Sequence, residues 1–226
     1  SFGVAPNGVP FGRYVNSQTN EQFVLLPAFT PGATHAPPRV GPVVISEIMY
    51  HPPDPAPGVD DALTEFIERA NVAPTNALLF DPAATTNTWR LRNAVDYDFP
   101  TNTVLAPEAR LLVVGFDPVY HAAQSATFRT RYQVPATVTS VGPWSGDLNT
   151  GGETLELKRP AIPNATPTNV FVPYYLVEEV SFDNTPHWPV GADGGGSSLQ
   201  RIEGGVFGND PINWQAAAPT AGRPNV

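Results

Sequence analysis

An all-β fold, a β-sandwich with one short helix, is predicted by three features of the sequence. The first is punctuation: 27 prolines and 19 glycines are spread through 226 residues, which limits uninterrupted helix and multiplies turns. The second is that these breakers lie among apolar runs of strand length, and 41% of the chain is hydrophobic, enough to fill a core. The third is a two-residue period, plainest in Thr154-Leu155-Glu156-Leu157-Lys158, where the leucines face one side and the polar residues the other.

Taken in order, residues 1–42 form a β-hairpin and linker. Two short strand patterns, Phe11 to Val15 and Glu21 to Leu26, flank the polar turn Asn16-Ser17-Gln18-Thr19-Asn20. The following Pro31-Gly32-Ala33-Thr34-His35-Ala36-Pro37-Pro38 cannot continue a central strand, because each proline removes a ladder donor. From Val43 to Val226 the segments Val43 to Tyr50, Thr64 to Asn71, Thr88 to Asn93, Arg110 to Gly115, Thr154 to Arg159 and Tyr175 to Asp183 read as strands at sandwich spacing. Leu112 and Val114, among apolar neighbours, mark a central strand, and Trp89 reads as core filler. Asp117 before Pro118 starts a helix running to about Tyr132, an appendage to the sandwich. Gly151-Gly152 permits a tight turn, with Glu153 placed to accept from nearby amides.

The two ends of the chain echo each other. Asn7-Gly8-Val9-Pro10-Phe11-Gly12-Arg13-Tyr14, Gln22-Phe23 and Thr30-Pro31-Gly32 follow the order of Gly195-Gly196-Ser197-Ser198-Leu199-Gln200-Arg201-Ile202, Asn213-Trp214 and Thr220-Ala221-Gly222. The expectation is a tandem array, in which residues 1–42 hold the last strands of a preceding unit. The chain opens on Ser1 without an initiator Met, which reads as a processed or excised piece of a longer polypeptide.

The motifs Val43-Val44-Ile45-Ser46-Glu47-Ile48-Met49-Tyr50-His51-Pro52, Glu65-Phe66-Ile67-Glu68, Trp89-Arg90-Leu91, Phe99-Pro100, Leu105-Ala106-Pro107, Leu111-Leu112-Val113-Val114 and Gly151-Gly152-Glu153-Thr154-Leu155-Glu156-Leu157, in that order, resemble the lamin-tail domain family. Trp188-Pro189, Asp193-Gly194-Gly195-Gly196-Ser197-Ser198-Leu199 and the closing Asn209-Asp210-Pro211, Trp214 and Gly222-Arg223-Pro224-Asn225 resemble its bacterial branch. The resemblance implies an immunoglobulin-like sandwich within a large secreted or surface protein, and it implies no active site.

Charge excludes some functions. Twelve Lys and Arg against 21 Asp and Glu, a formal charge of −9 and a pI near 4.7, disfavour nucleic acid, whose binders gather cations on one face. No apolar stretch approaches the roughly 20 residues of a membrane helix, so membrane insertion is not expected. With no cysteine, disulfides and thiolate metal sites are excluded. The largely neutral polar surface fits an extracellular or cell-surface setting.

Catalytic signals are weak. His35, His51, His121 and His187 lack metal-ligand spacing, Ser197 and Ser198 lack a nucleophile elbow, and Gly194-Gly195-Gly196 is followed by no P-loop lysine. Glu65 and Glu68, like Glu178 and Glu179, point to opposite faces of a strand, which separates them as acid and base. No cofactor is expected except calcium, for which Asp54, Asp60, Asp61 and Glu65 supply oxygen ligands in a Pro-rich loop without EF-hand spacing. The expected function is a non-catalytic structural or interaction module that meets other protein, or copies of itself, by strand addition. The alternative is a carbohydrate-binding module accessory to a secreted enzyme, with Tyr174, Tyr175, Trp144 and Trp188 near turns to meet a polysaccharide.

Overall fold

The structure, a computed structural model, describes residues 5–56, 58, 59, 61–166 and 169–226. It is a β-sandwich with one α-helix. Ahead of the sandwich, β1 (Phe11–Val15) and β2 (Glu21–Leu25) form a two-stranded antiparallel hairpin. Asn16 closes its turn by accepting from the Gln18 and Asn20 amides at 3.1 and 2.9 Å.

The sandwich strands are β3 (Val43–Met49), β4 (Phe66–Asn71), β5 (Arg90–Asn93), β6 (Val95–Asp98), β7 (Arg110–Val114), β8 (Thr139–Val141), β9 (Ser145–Gly146), β10 (Gly152–Pro160), β11 (Tyr174–Asp183), β12 (Ser198–Arg201) and β13 (Trp214–Ala217). One sheet has the order β8-β7-β4-β3-β12-β13 and the facing sheet β9-β6-β5-β10-β11. Short pairs join Ala77–Leu78 to Val104–Leu105, Phe80–Asp81 to Ala84–Thr88, and Asn164–Thr166 to Asn169–Phe171.

The core between the sheets includes Ile45, Ile48, Ile67, Trp89, Leu91, Val113, Leu155, Leu157, Val180, Leu199 and Trp214. In β10, Leu155 and Leu157 are fully buried while Thr154, Glu156 and Lys158 are half-buried, as the alternation predicts. Gly152, at φ +105°, has no room for a side chain, since a Cβ there would sit 2.6 Å from the Asp183 Cα. Glu153 accepts from the Asn149 amide at 3.2 Å, the role expected of it.

The helix corrects one expectation. Asp117 Oδ1 accepts from the Val119 and Tyr120 amides at 2.8 and 2.9 Å, so it caps a preceding turn, and α1 spans Ala122–Tyr132. Rather than an appendage, α1 is the crossover between the parallel neighbours β7 and β8, a connection a tight turn cannot make. Its Phe128 and Tyr132 pack with Met49, Phe66, Leu112 and Val114 in a second core on the far side of the sheet. Every residue of β3 and β4 is therefore buried.

That double burial takes charged groups inside. Ser46 forms a bulge in the β3–β4 ladder, and the Ile45 amide donates at 2.5 Å to Glu178 Oε2 from the facing sheet. Glu178 Oε1 accepts from Arg201 Nη1, also at 2.5 Å. Glu47 accepts from Ser198 Oγ at 2.5 Å and from the Thr220 amide and hydroxyl, each at 2.9 Å. Glu68 accepts from Ser46 Oγ at 2.6 Å, Arg110 Nε at 3.1 Å and the Gly222 amide at 2.6 Å. These two carboxylates hold the C-terminal segment against the sheet.

Candidate interaction surface

The hairpin is tied to the sandwich through one carboxylate. Asp210, 2% exposed, accepts from Tyr14 Oη at 2.8 Å, from the Ser17 amide at 3.1 Å and from Ser17 Oγ at 2.5 Å. It also caps the turn Pro211–Asn213. Burial first, and then the hydrogen bond to Asp210, push the Tyr14 phenol up to about 12. Tyr14 packs edge-on against Phe207, with ring centroids 5.2 Å apart, and Gln22 Nε2 donates to the Asn209 carbonyl at 2.9 Å. A hydrogen bond to a charged group is worth about 1.5–3 kcal/mol. Asp210→Ala is therefore expected to speed amide exchange in β1 and β2 at least about tenfold. The sandwich itself should lose only the ~1 kcal/mol of a helix cap. Exchange that is equally slow in the variant would show that Asp210 does not hold the hairpin.

The other face of the hairpin points away from this anchor. Phe11 and Phe23 stack on it with centroids 5.8 Å apart, yet Phe23 remains 51% exposed and Val15 43%. Between the hairpin and the outer face of β10 and β11 lies a cleft of about 640 Å³, lined in part by Phe23, Glu156, Lys158, Tyr174, Glu179 and Asn209. Glu156 and Glu179 are register partners across β10 and β11. Burial, then the neighbouring Glu156, raise the Glu179 carboxyl, while Asn209 Nδ2 donates to it at 2.9 Å. Lys158 pairs with Glu156.

Glu178 and Glu179 do point to opposite faces, one into the core and one into the cleft. The proposed calcium ligands have separate surroundings. Asp54 lies 3.6 Å from His51 Nε2 and accepts from the Gly58 amide at 3.3 Å. Asp61 pairs with Arg131 at 2.7 Å, Glu65 is buried, and Asp60 lies outside the described residues. Among the described residues no group of three or more His, Asp or Glu side chains is placed to hold a metal. His51 Nδ1 lies 2.6 Å from Asp193. Trp144 and Trp188, expected near the surface, are 7% and 4% exposed and belong to the core. Tyr174 lies 3.3 Å beneath the Arg90 guanidinium. Sequence reasoning met Glu179 only as half of a dismissed carboxylate pair and Asp210 only within the motif Asn209-Asp210-Pro211, whose cap before a first-turn proline was the available signal.

Fold and surface together define a β-sandwich bearing a docked, partly apolar accessory hairpin. Neither a family model nor a curated protein matches the sequence. Among solved structures, the chain is similar to that of a DUF4876 family protein from Bacteroides thetaiotaomicron VPI-5482, at 15% identity and a TM-score of 0.46, covering 97% of this chain and 82% of that one.

Proposed function

We propose that the chain is a non-catalytic structural and interaction module of a larger extracellular or surface protein, of the lamin-tail type, that meets other protein or further copies of itself by strand addition at the β1–β2 hairpin. The observation that carries this reading is the hairpin itself: a two-stranded sheet outside the sandwich, anchored by Asp210, with an apolar face half open to solvent. Two strands alone form a marginal unit, and a strand edge is a template for a further strand. The deployment of buried carboxylates supports the non-catalytic part, since Glu47, Glu68 and Glu178 are each engaged in holding strands or the C-terminal segment. Sedimentation velocity of the full chain over a wide concentration range tests it. Reversible association that Phe23→Asp abolishes is the expected result; a monomer at every concentration would remove self-association.

A second reading, a carbohydrate site, is favoured by the cleft, where Tyr174, Glu179, Asn209 and Lys158 combine an aromatic ring with hydrogen-bonding groups. A glycan array probed with the wild type and with Glu179→Gln decides it: hits lost in the variant support the site, and the absence of hits removes it.

A further inference from the structure

The hairpin at residues 11–25 and the one that closes the sandwich at residues 198–217 are built alike beyond their shared sequence order. In the first, Phe11 pairs with Leu25 and Arg13 with Phe23. In the second, Leu199 pairs with Ala216 and Arg201 with Trp214. The sequence echo places Phe11 on Leu199, Arg13 on Arg201 and Phe23 on Trp214, so the two ladders share one register. The flanks agree as well. Gly8 and Gly196, each three residues before those strand positions, take φ of +79° and +85°. After the second strand, the Ala33 amide donates to the Thr30 carbonyl around Gly32 at φ +72°, and the Arg223 amide donates to the Thr220 carbonyl around Gly222 at φ +79°. A period-2 register repeated together with its turn chemistry marks one structural unit used twice.

The two copies differ in what covers them. Leu199, Arg201 and Trp214 are 0%, 2% and 4% exposed and face the core, where Arg201 meets Glu178 from the opposite sheet. On the same face of the first copy Phe11 is half-buried and stacked on Phe23, which is 51% exposed, and the Arg13 side chain is 61% exposed beside Glu21. The edges differ too. β12 pairs with β3 through Leu199↔Ile48 and Gln200↔Glu47, and Thr220 and Gly222 seat on Glu47 and Glu68. β1 pairs with β2 and with no other strand among the described residues.

We infer that residues 8–33 are the closing hairpin of a second sandwich of the same build as residues 43–226. β1 adds to that sandwich's counterpart of β3. Phe11, Arg13 and Phe23 enter its core, and Thr30 and Gly32 seat on its counterparts of Glu47 and Glu68. Asp210, gripping the opposite face of the hairpin, then fixes the two sandwiches relative to one another. The inference rests on the strand-addition reading above and names its partner. Copies of this chain offer such a slot only when their own β12–β13 hairpin swings out, so association between copies is weak.

The test joins a second stretch of residues 43–194, which lacks a closing hairpin, directly to Asn7 of the chain. A control fusion carries an added 43–226 with its own hairpin. The added stretch is expected to resist limited proteolysis and to protect the amides of its own Val43–Met49 from exchange as the control does. Phe23→Asp is expected to abolish that protection in the fusion, while the same substitution in the control fusion leaves its added unit, closed by its own hairpin, protected. Digestion of the added stretch down to the original chain while the control survives overturns the inference, as does protection that ignores Phe23→Asp. Either failure leaves the sedimentation test of the unfused chain standing, so the two readings fall separately.

Discussion

Glu178→Ala is expected to lower the unfolding free energy by about 3–5 kcal/mol, the range for removing one member of a buried ion pair. Glu178 and Arg201 are both within the core, their side chains 5% and 1% exposed. The substitution would strip the 2.5 Å bonds from Arg201 and from the Ile45 amide. A guanidinium would then stay buried, with the Ile45 and Val206 carbonyls as its hydrogen-bond partners. The amide freed by the Ser46 bulge would also lose its acceptor, at a cost of about 1–3 kcal/mol within the same total. The double variant Glu178→Leu, Arg201→Met is expected to recover most of the loss, because it removes both desolvated charges together. Urea unfolding of the three proteins measures this. A single variant as stable as the wild type would show that the pair does not join the sheets.

The second large effect is on pH. Burial raises the Glu68 carboxyl from 4.5 to about 7, outweighing the hydrogen bond from Ser46; Glu47 beside it pushes the same way, and Gly222 and Arg110 oppose. A carboxyl whose folded value lies above its unfolded one binds its proton more tightly in the native state. Its contribution is fully present below about pH 4.5 and is lost as pH rises through about 7. The shift corresponds to about 3 kcal/mol. Stability should thus fall between pH 5 and pH 8, the opposite of the trend set by salt-bridged carboxylates, and Glu47, raised by its own burial, steepens the fall. Glu68→Gln, which keeps an acceptor for Ser46 and Arg110, is expected to flatten the profile. A wild type equally stable at both pH values, or a variant with the same slope, would contradict the assignment.

Much of the sandwich was legible from local pattern. The alternation of Thr154 to Lys158 became β10 with its leucines inward, and the runs at Val43, Arg110 and Tyr175 became central or long strands. Short elements such as Val95–Asp98, Thr139–Val141 and Ser145–Gly146 escaped notice because two to four residues carry too little periodicity to separate strand from turn. The surface was less legible. Trp144 and Trp188 stand near turns in sequence, yet the sheets close over them. Asp210 looks like an ordinary cap until the fold brings Tyr14 and Ser17 to it from nearly two hundred residues away.

What the chain's own order of residues determined was the β class, the hairpin ahead of the sandwich, the spacing of the main strands and the echo between the two ends. All of these depend on local periodicity and turn chemistry, which act over a few neighbouring residues. Only the tertiary structure decided that α1 is a crossover with a core of its own, that Glu47, Glu68 and Glu178 point inward, and that Trp214 is buried in the core while Phe23 is half exposed. Those outcomes depend on which distant segments share a low-dielectric interior, and burial of that kind is a property of the assembled sheets.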